Sequence, residues 1–405
     1  MKKRKVRKAK KSTRIVLVLF LFAILLIDVG IYLQATNFSL NDNKNGPTPK
    51  VYKEKKQPKE YSTRMIMVGD ALIHSSLFYD AKKSDGTYDF KPMLELTKPI
   101  TSKYDLVYYN QETILGGANF GYSNYPRFNS PNEVGDAFID SGFNLVSLAT
   151  NHTMDKGEQG VLNSVNYWKA KTGVVTAGQY SSQEERDKIN IYEINNISYA
   201  FFSYTTWTNG LETPVGKEYL NNVYSDEKAK ADIEKVRDKV DVVIVAMHWG
   251  NEYSLGVSES QTNIANYLSN LGVDIIIGSH PHVVEPVEYI NNGRTFVIYS
   301  LGNYISDQVG IERLTGLMME LTIKKNVDID DNVTISIESP KAELLYTKSS
   351  AGGKRNFKVY PYSQLNNTIL PNYMNYYTKY KAVVSERYPE LVWGINGEWL
   401  NGNLK

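Results

Sequence analysis

Short continuous apolar runs alternate with helical segments along most of this 405-residue chain. The runs at 65–68, 106–109, 145–148, 200–204, 242–247, 275–277 and 296–299 predict strands. Several are unbroken and rich in β-branched residues, as expected of strands covered on both faces. Between them, Ser130-Pro131 offers an N-cap and a first-turn proline for a helix that stops near Gly142. Further helices are expected from about 158 to 171, over 226–239 and over 259–270. The recurring order of helix, glycine and apolar strand, in SGFNLV, TGVVTA and LGVDII, is that of an α/β layered domain. In such sheets ligands collect at the carboxyl ends of the strands.

The pattern changes at both ends. After about residue 320, ELTIKKNVDIDDNVTISIESPKAELLYT reads as antiparallel strands around an Asp-Asp-Asn turn, followed by a helix near 373–387. Residues 321–405 are therefore expected to complete or flank a domain occupying 63–320. At the other end, residues 1–14 carry nine Lys and Arg and no acidic residue, and 15–33 are almost wholly apolar. Nineteen helical residues cover roughly 28 Å, nearly one hydrocarbon core. We read 1–14 as a cytoplasmic basic tail, 15–33 as a single-pass transmembrane signal anchor and polar 34–62 as a linker. A cleaved signal peptide is the alternative for the apolar stretch. Positive charge stays inside, so the domain is expected at the cell membrane, facing outward.

Composition sharpens this picture. The chain has no cysteine, hence no disulfide, although export would permit one. Its formal charge of +2 includes the basic tail, so the remainder is net acidic. An acidic exported domain is a poor general binder of polyanions, and nucleic acid is not expected as a partner. An anionic substrate would need local positive charge, which bound metal ions supply.

All five histidines, His74, His152, His248, His280 and His282, fall at or beside the ends of expected strands. Near them stand Asp70 in VGDALIH, Glu112 in NQET and Asn151 in ATNHTMD. Taken singly, each has a plain structural reading. Asp70 could cap a helix, Glu112 could be a solvated rim charge, Asn151 a turn residue and His248 a satisfied core histidine. Gly69 is expected to allow a sharp turn that exposes the Asp70 carboxylate. In HPH, an extended segment would point His280 and His282 to the same side, stiffened by Pro281. Together, five segments supplying imidazoles, carboxylates and an amide oxygen suggest one site for divalent ions, two of them Mn, Fe or Zn. A two-metal centre bridges its ions through a carboxylate, and a histidine that is not a ligand can protonate the leaving oxygen.

At these residues the chain resembles the CapA family of poly-γ-glutamate capsule synthesis proteins, within the calcineurin-like metallophosphoesterase superfamily. The resemblance spans about 64–307 and rests on GDALIH, YDLVYYNQET, RFNSPNEVGDAFIDSGFNLVSLATNHTMDKGEQGV, VVIVAMHWGNEY, GVDIIIGSHPHVVEPVEY and VIYSLGNYISDQ. It implies a layered αββα sandwich. It also implies Asp70, His74, Asn151, His248, His280 and His282 as metal ligands, Glu112 as the bridging carboxylate and His152 as general acid. Two departures stand out: Asp70 and His74 are four residues apart where the superfamily has two, and Glu112 replaces the usual Asp. The resemblance implies a metal-dependent hydrolase of capsule biosynthesis or export, acting on a phosphoester or an anionic capsule polymer beside a capsule synthase complex. A non-catalytic, metal-bearing accessory protein that binds the polymer is the first alternative, and a surface phosphoesterase unrelated to capsules the second. Arg127 and Arg294 are candidate anion contacts, with ordinary surface arginines as the plainer reading, and Glu252 and Asn303 read as supporting or structural residues.

Overall fold

A computed structural model of the protein describes residues 56–350 and 354–395. The expected basic tail, the anchor and most of the linker lie outside them. Among the described residues no helix is long and apolar enough to cross a membrane.

Two sheets form the centre. In the first, β1 (Lys59–Ala71), β2 (Leu106–Asn110), β3 (Leu145–Ser147) and β4 (Val175–Ala177) run parallel. The second contains β5 (Tyr192–Ile194), β6 (Ile197–Thr205), β7 (Val242–His248), β8 (Ile275–Ser279), β9 (Val287–Ile290) and β10 (Thr295–Ile298) in the order β5-β6-β7-β8-β10-β9. There β6, β7, β8 and β10 are parallel. The chain then returns to the first sheet. β11 (Asn303–Ile305) pairs with the end of β1, and β12 (Thr315–Val327), β13 (Val333–Lys348) and β14 (Lys358–Pro361) extend the sheet antiparallel on the far side of β1. Each strand expected from the apolar runs falls at one of these positions. The Asp-Asp-Asn turn joins β12 to β13, where Asp328 accepts from the amides of Asp330 and Asn332. β12 runs unbroken across residue 320.

Strand alternation sets the layers. In β7, Val242, Ile244 and Ala246 pack with Met65 and Met67 of β1, so the two sheets face each other. The opposite faces carry helices. Ile66 and Val68 of β1 meet Leu77, Met93, Val134 and Phe138, while Val243, Val245 and Met247 of β7 meet Ala229, Ile233, Ala265 and Leu268. The result is four layers, helices–sheet–sheet–helices. Central strands are therefore buried on both sides, which is why β2, β7 and β8 read as continuous apolar runs. Each fully buried aliphatic side chain contributes about 1.5–3 kcal/mol by leaving water.

Two local expectations are corrected. The helix after Ser130-Pro131 begins only at Glu133, because the Ser130 hydroxyl pairs with Thr113 Oγ1 at 2.8 Å instead of capping it. Gly69 makes no turn. It lies within β1, where a Cβ would sit 1.8 Å from the Gly302 carbonyl oxygen, so glycine is required by close approach of the chain. Pairing with β11 carries β1 on to Ala71 and leaves Asp70 fully buried, not exposed.

Candidate metal centre

Because the strands within each sheet run parallel around the centre, the carboxyl ends of β1, β2, β3, β7 and β8 meet. Asp70, Glu112, Asn151, His248, His280 and His282 come together there, all buried. The contacts cross from sheet to sheet. Asn151 Oδ1 lies 3.0 Å from His248 Nε2, and Asp70 Oδ2 lies 3.2 Å from His282 Nδ1. Ligand atoms of Asp70, Glu112 and His282 stand within 4.8 Å of one another, and so do those of Glu112, His248 and His280. Glu112 belongs to both groups.

The arrangement fits divalent cations. Glu112 Oε1 lies 3.6 Å from both His248 Nε2 and His282 Nε2, yet this buried oxygen has no hydrogen-bond partner. His280 Nδ1 is likewise buried and unpartnered. Leaving such a group unsatisfied costs about 1–3 kcal/mol, and a cation between them removes both costs. Burial, reinforced by the Asp70 charge, pushes the Glu112 carboxyl well above its usual range. Burial beside His282 and His152 lowers His280 to about 3, and His248 is also held well below its ordinary value by burial. Neutral imidazoles are the form that binds metal. On the outer side of the ring, His248 Nδ1 is 3.0 Å from Ser279 Oγ, which turns Nε2 toward Asn151 and Glu112.

The HPH segment is not extended. His280 and His282 have φ of +95° and +59°, and the Tyr253 amide donates to the Pro281 carbonyl at 2.8 Å across the turn. Their rings still converge, with centroids 6.0 Å apart, because the backbone is bent rather than because side chains alternate. Left-handed conformations at non-glycine residues cost on the order of 1–3 kcal/mol each and concentrate at functional sites.

The remaining candidates line a cavity of about 460 Å³ above these ligands. His152 is buried in its wall, with Nδ1 2.8 Å from Asp155 Oδ2 and its ring edge-on to Phe128. Arg127 is exposed at the cavity wall, and Trp207, Tyr125 and Tyr253 stand there too. His74 belongs to neither ligand group. It borders the cavity, where Nδ1 meets the Leu72 carbonyl at 3.1 Å and accepts from the Asp307 amide at 3.2 Å, and burial lowers it to about 4. It occupies the position preceding the helix Ser75–Ala81. Arg294 stands at the amino end of β10, the opposite end from the centre.

Three supporting residues were unassigned in the sequence or given only a generic role. Asn110 donates to Asp70 Oδ1 at 2.9 Å and to Glu112 Oε2 at 3.2 Å, holding the two carboxylates together. Its place at a strand end was the available signal. Asp155, three residues after His152 in ATNHTMD, orients that ring. Asn303 in SLGN directs Oδ1 at His282 Nδ1, 3.0 Å away, while its amide nitrogen donates to the His282 and Arg313 carbonyls.

Residues 64–308, which contain every one of these side chains, match the family model described as bacterial capsule synthesis protein PGA_cap. The chain belongs to this family. Capsule-synthesis relatives include the PGA biosynthesis protein CapA of Bacillus subtilis strain 168, 31% identical over 195 residues, covering 46% of this chain and 49% of that protein. The capsule biosynthesis protein CapA of Bacillus anthracis is 29% identical over 218 residues, 52% of each chain. The chain thus spans about half the length of the capsule-synthesis relatives it matches. Among solved structures, a phosphatase from Mycoplasma pneumoniae aligns with 71% of this chain and 95% of its own at a TM-score of 0.42 and 14% identity, a likeness too slight to bear on function.

Proposed function

We propose that this capsule biosynthesis protein is a membrane-anchored, outward-facing, metal-dependent hydrolase of metallophosphoesterase type. Its substrate would be an anionic capsule polymer such as poly-γ-glutamate, or a phosphoester made during its assembly, with the membrane and a capsule synthase complex as neighbours. The observation that carries the reading is Glu112, which belongs to two ligand groups at once and whose unpartnered Oε1 lies 3.6 Å from both His248 and His282.

Asp70, Glu112 and His282 would hold one cation, and Glu112, Asn151, His248 and His280 the other. Oxygen and imidazole donors suit Mn, Fe or Zn. Two such ions supply an activated water and Lewis-acid polarisation of the substrate. The rest falls to the chain. Asp155 engages His152 Nδ1, which leaves Nε2 to hold a proton for the departing oxygen. Arg127, which forms no ion pair among the described residues, offers its guanidinium to an anionic group in the cavity. Phe128, Leu211 and Trp207 give the cavity an apolar wall that limits water.

The test is turnover of an activated phosphodiester and of poly-γ-glutamate by the full-length protein, with and without chelator. Chelator-sensitive turnover of either is expected. A metal-loaded protein inert on both sinks the hydrolase reading. Protease added to intact cells should degrade the domain, and full protection would contradict the outward location.

A further inference from the structure

The loop after β7 presents a third carboxylate to the histidines. Ligand atoms of Glu252, His280 and His282 lie within 4.8 Å of one another, on the cavity side of the centre, whereas Glu112 is buried beneath it. We propose that Glu252 is a metal ligand, closing the cavity side of the centre.

Three observations carry this. First, the turn is held in place. The Trp249 amide donates to the Ser279 carbonyl at 3.1 Å and the Tyr253 amide to the Pro281 carbonyl at 2.8 Å, so the segment bearing Glu252 is fastened to the segment bearing the histidines on both sides. Second, its backbone is specified. Gly250 has φ of +84°, with the Gln261 side-chain carboxamide 2.8 Å from the point a Cβ would occupy, and Tyr253 has φ of +66°. The Tyr253 ring is braced by the Arg313 guanidinium, 4.0 Å from its centroid. Third, His280, whose Nδ1 is buried and unpartnered, belongs to the group with Glu252 as well as to the one with Glu112. A carboxylate at the cavity mouth also differs in kind from a buried imidazole. It adds negative charge, which raises cation affinity, and it stands where an anionic substrate must pass or displace it.

The inference rests on the reading of the centre as a divalent-cation site, and its test separates the two. Full-length protein is stripped by chelator and titrated with Mn²⁺, as wild type and as Glu252→Gln, with Asn251→Ala as a control in the same turn. Because Glu252 is exposed, circular dichroism should be unchanged. Glu252→Gln should lose about tenfold or more in affinity for one cation, while Asn251→Ala titrates like wild type. With Co²⁺ bound, the d–d absorption should change shape in Glu252→Gln, since a ligand has been lost. Wild-type affinity in Glu252→Gln, or weaker affinity with an unchanged Co²⁺ spectrum, would overturn the assignment while leaving the metal centre intact. A wild type that binds no Mn²⁺ at all overturns both.

Discussion

His152 Nδ1 and Asp155 Oδ2 lie 2.8 Å apart, both buried, in the turn that follows β3. The same Asp155 oxygen accepts from the Phe128 amide at 2.7 Å, so the carboxylate ties the imidazole to the cavity wall. A histidine held this way keeps one nitrogen engaged and turns the other to the substrate. His152→Ala is expected to lower kcat by about 10²–10⁴-fold with bound metal retained. Asp155→Asn should lower kcat in the same direction and cost about 1–3 kcal/mol of stability, because the Phe128 amide loses a charged partner. Metal analysis beside steady-state kinetics checks both, and loss of metal in His152→Ala would contradict the role.

Glu112 opposes stability when no cation is present. Burial and the neighbouring Asp70 charge favour its neutral form. Glu112→Gln should therefore abolish tight binding of both ions yet raise the melting temperature of the chelator-stripped protein by roughly 2–4 °C. Thermal unfolding with and without metal tests this, and a lower melting temperature in the stripped variant would show Glu112 to be a structural residue.

Glu285 gives a pH signature away from the ligands. It is buried, its Oε2 accepts from Gln261 Nε2 at 2.6 Å, and its Oε1 has no partner. Burial raises it from an ordinary 4.5 to about 8. Between those values the folded chain holds more protons than the unfolded chain, so this group's contribution to stability falls as pH rises. Glu285→Gln should match wild type near pH 4.5 and become the more stable of the two by pH 8. Parallel melting curves across that window decide it. A constant difference would show that Glu285 does not titrate there.

Arg127 is exposed at the cavity and meets no carboxylate among the described residues. Arg127→Ala should raise KM for an anionic substrate roughly tenfold with little change in kcat, and the effect should shrink in high salt. An unchanged KM would return Arg127 to the ordinary surface.

Much of the fold was legible because its signals are local. β2, β7 and β8 are buried on both faces, so they read as unbroken apolar runs, and the helix Glu259–Asn270 carries a Ser258–Gln261 capping box at the expected start. The meeting of Asp70, Glu112, Asn151, His248, His280 and His282 was legible for the same reason, since strand ends in parallel sheets converge. What escaped depends on turns fixed from afar. The bend at His280 and His282 is held by the Tyr253–Pro281 hydrogen bond, and the place of Asn303 follows from β11 pairing with Asp70. His74 was expected at the centre by motif, and its Nδ1 meets the backbone of Leu72 and Asp307, contacts the sequence does not announce. The expected membrane anchor lies outside the described residues.

Anomalous diffraction from crystals grown with Mn²⁺ or Zn²⁺ addresses the central claim most directly. Two peaks about 3.5–4 Å apart are expected, one against Asp70, Glu112 and His282 and the other against Glu112, His248 and His280. Crystals of the metal-loaded protein with no peak at Glu112 would contradict the account.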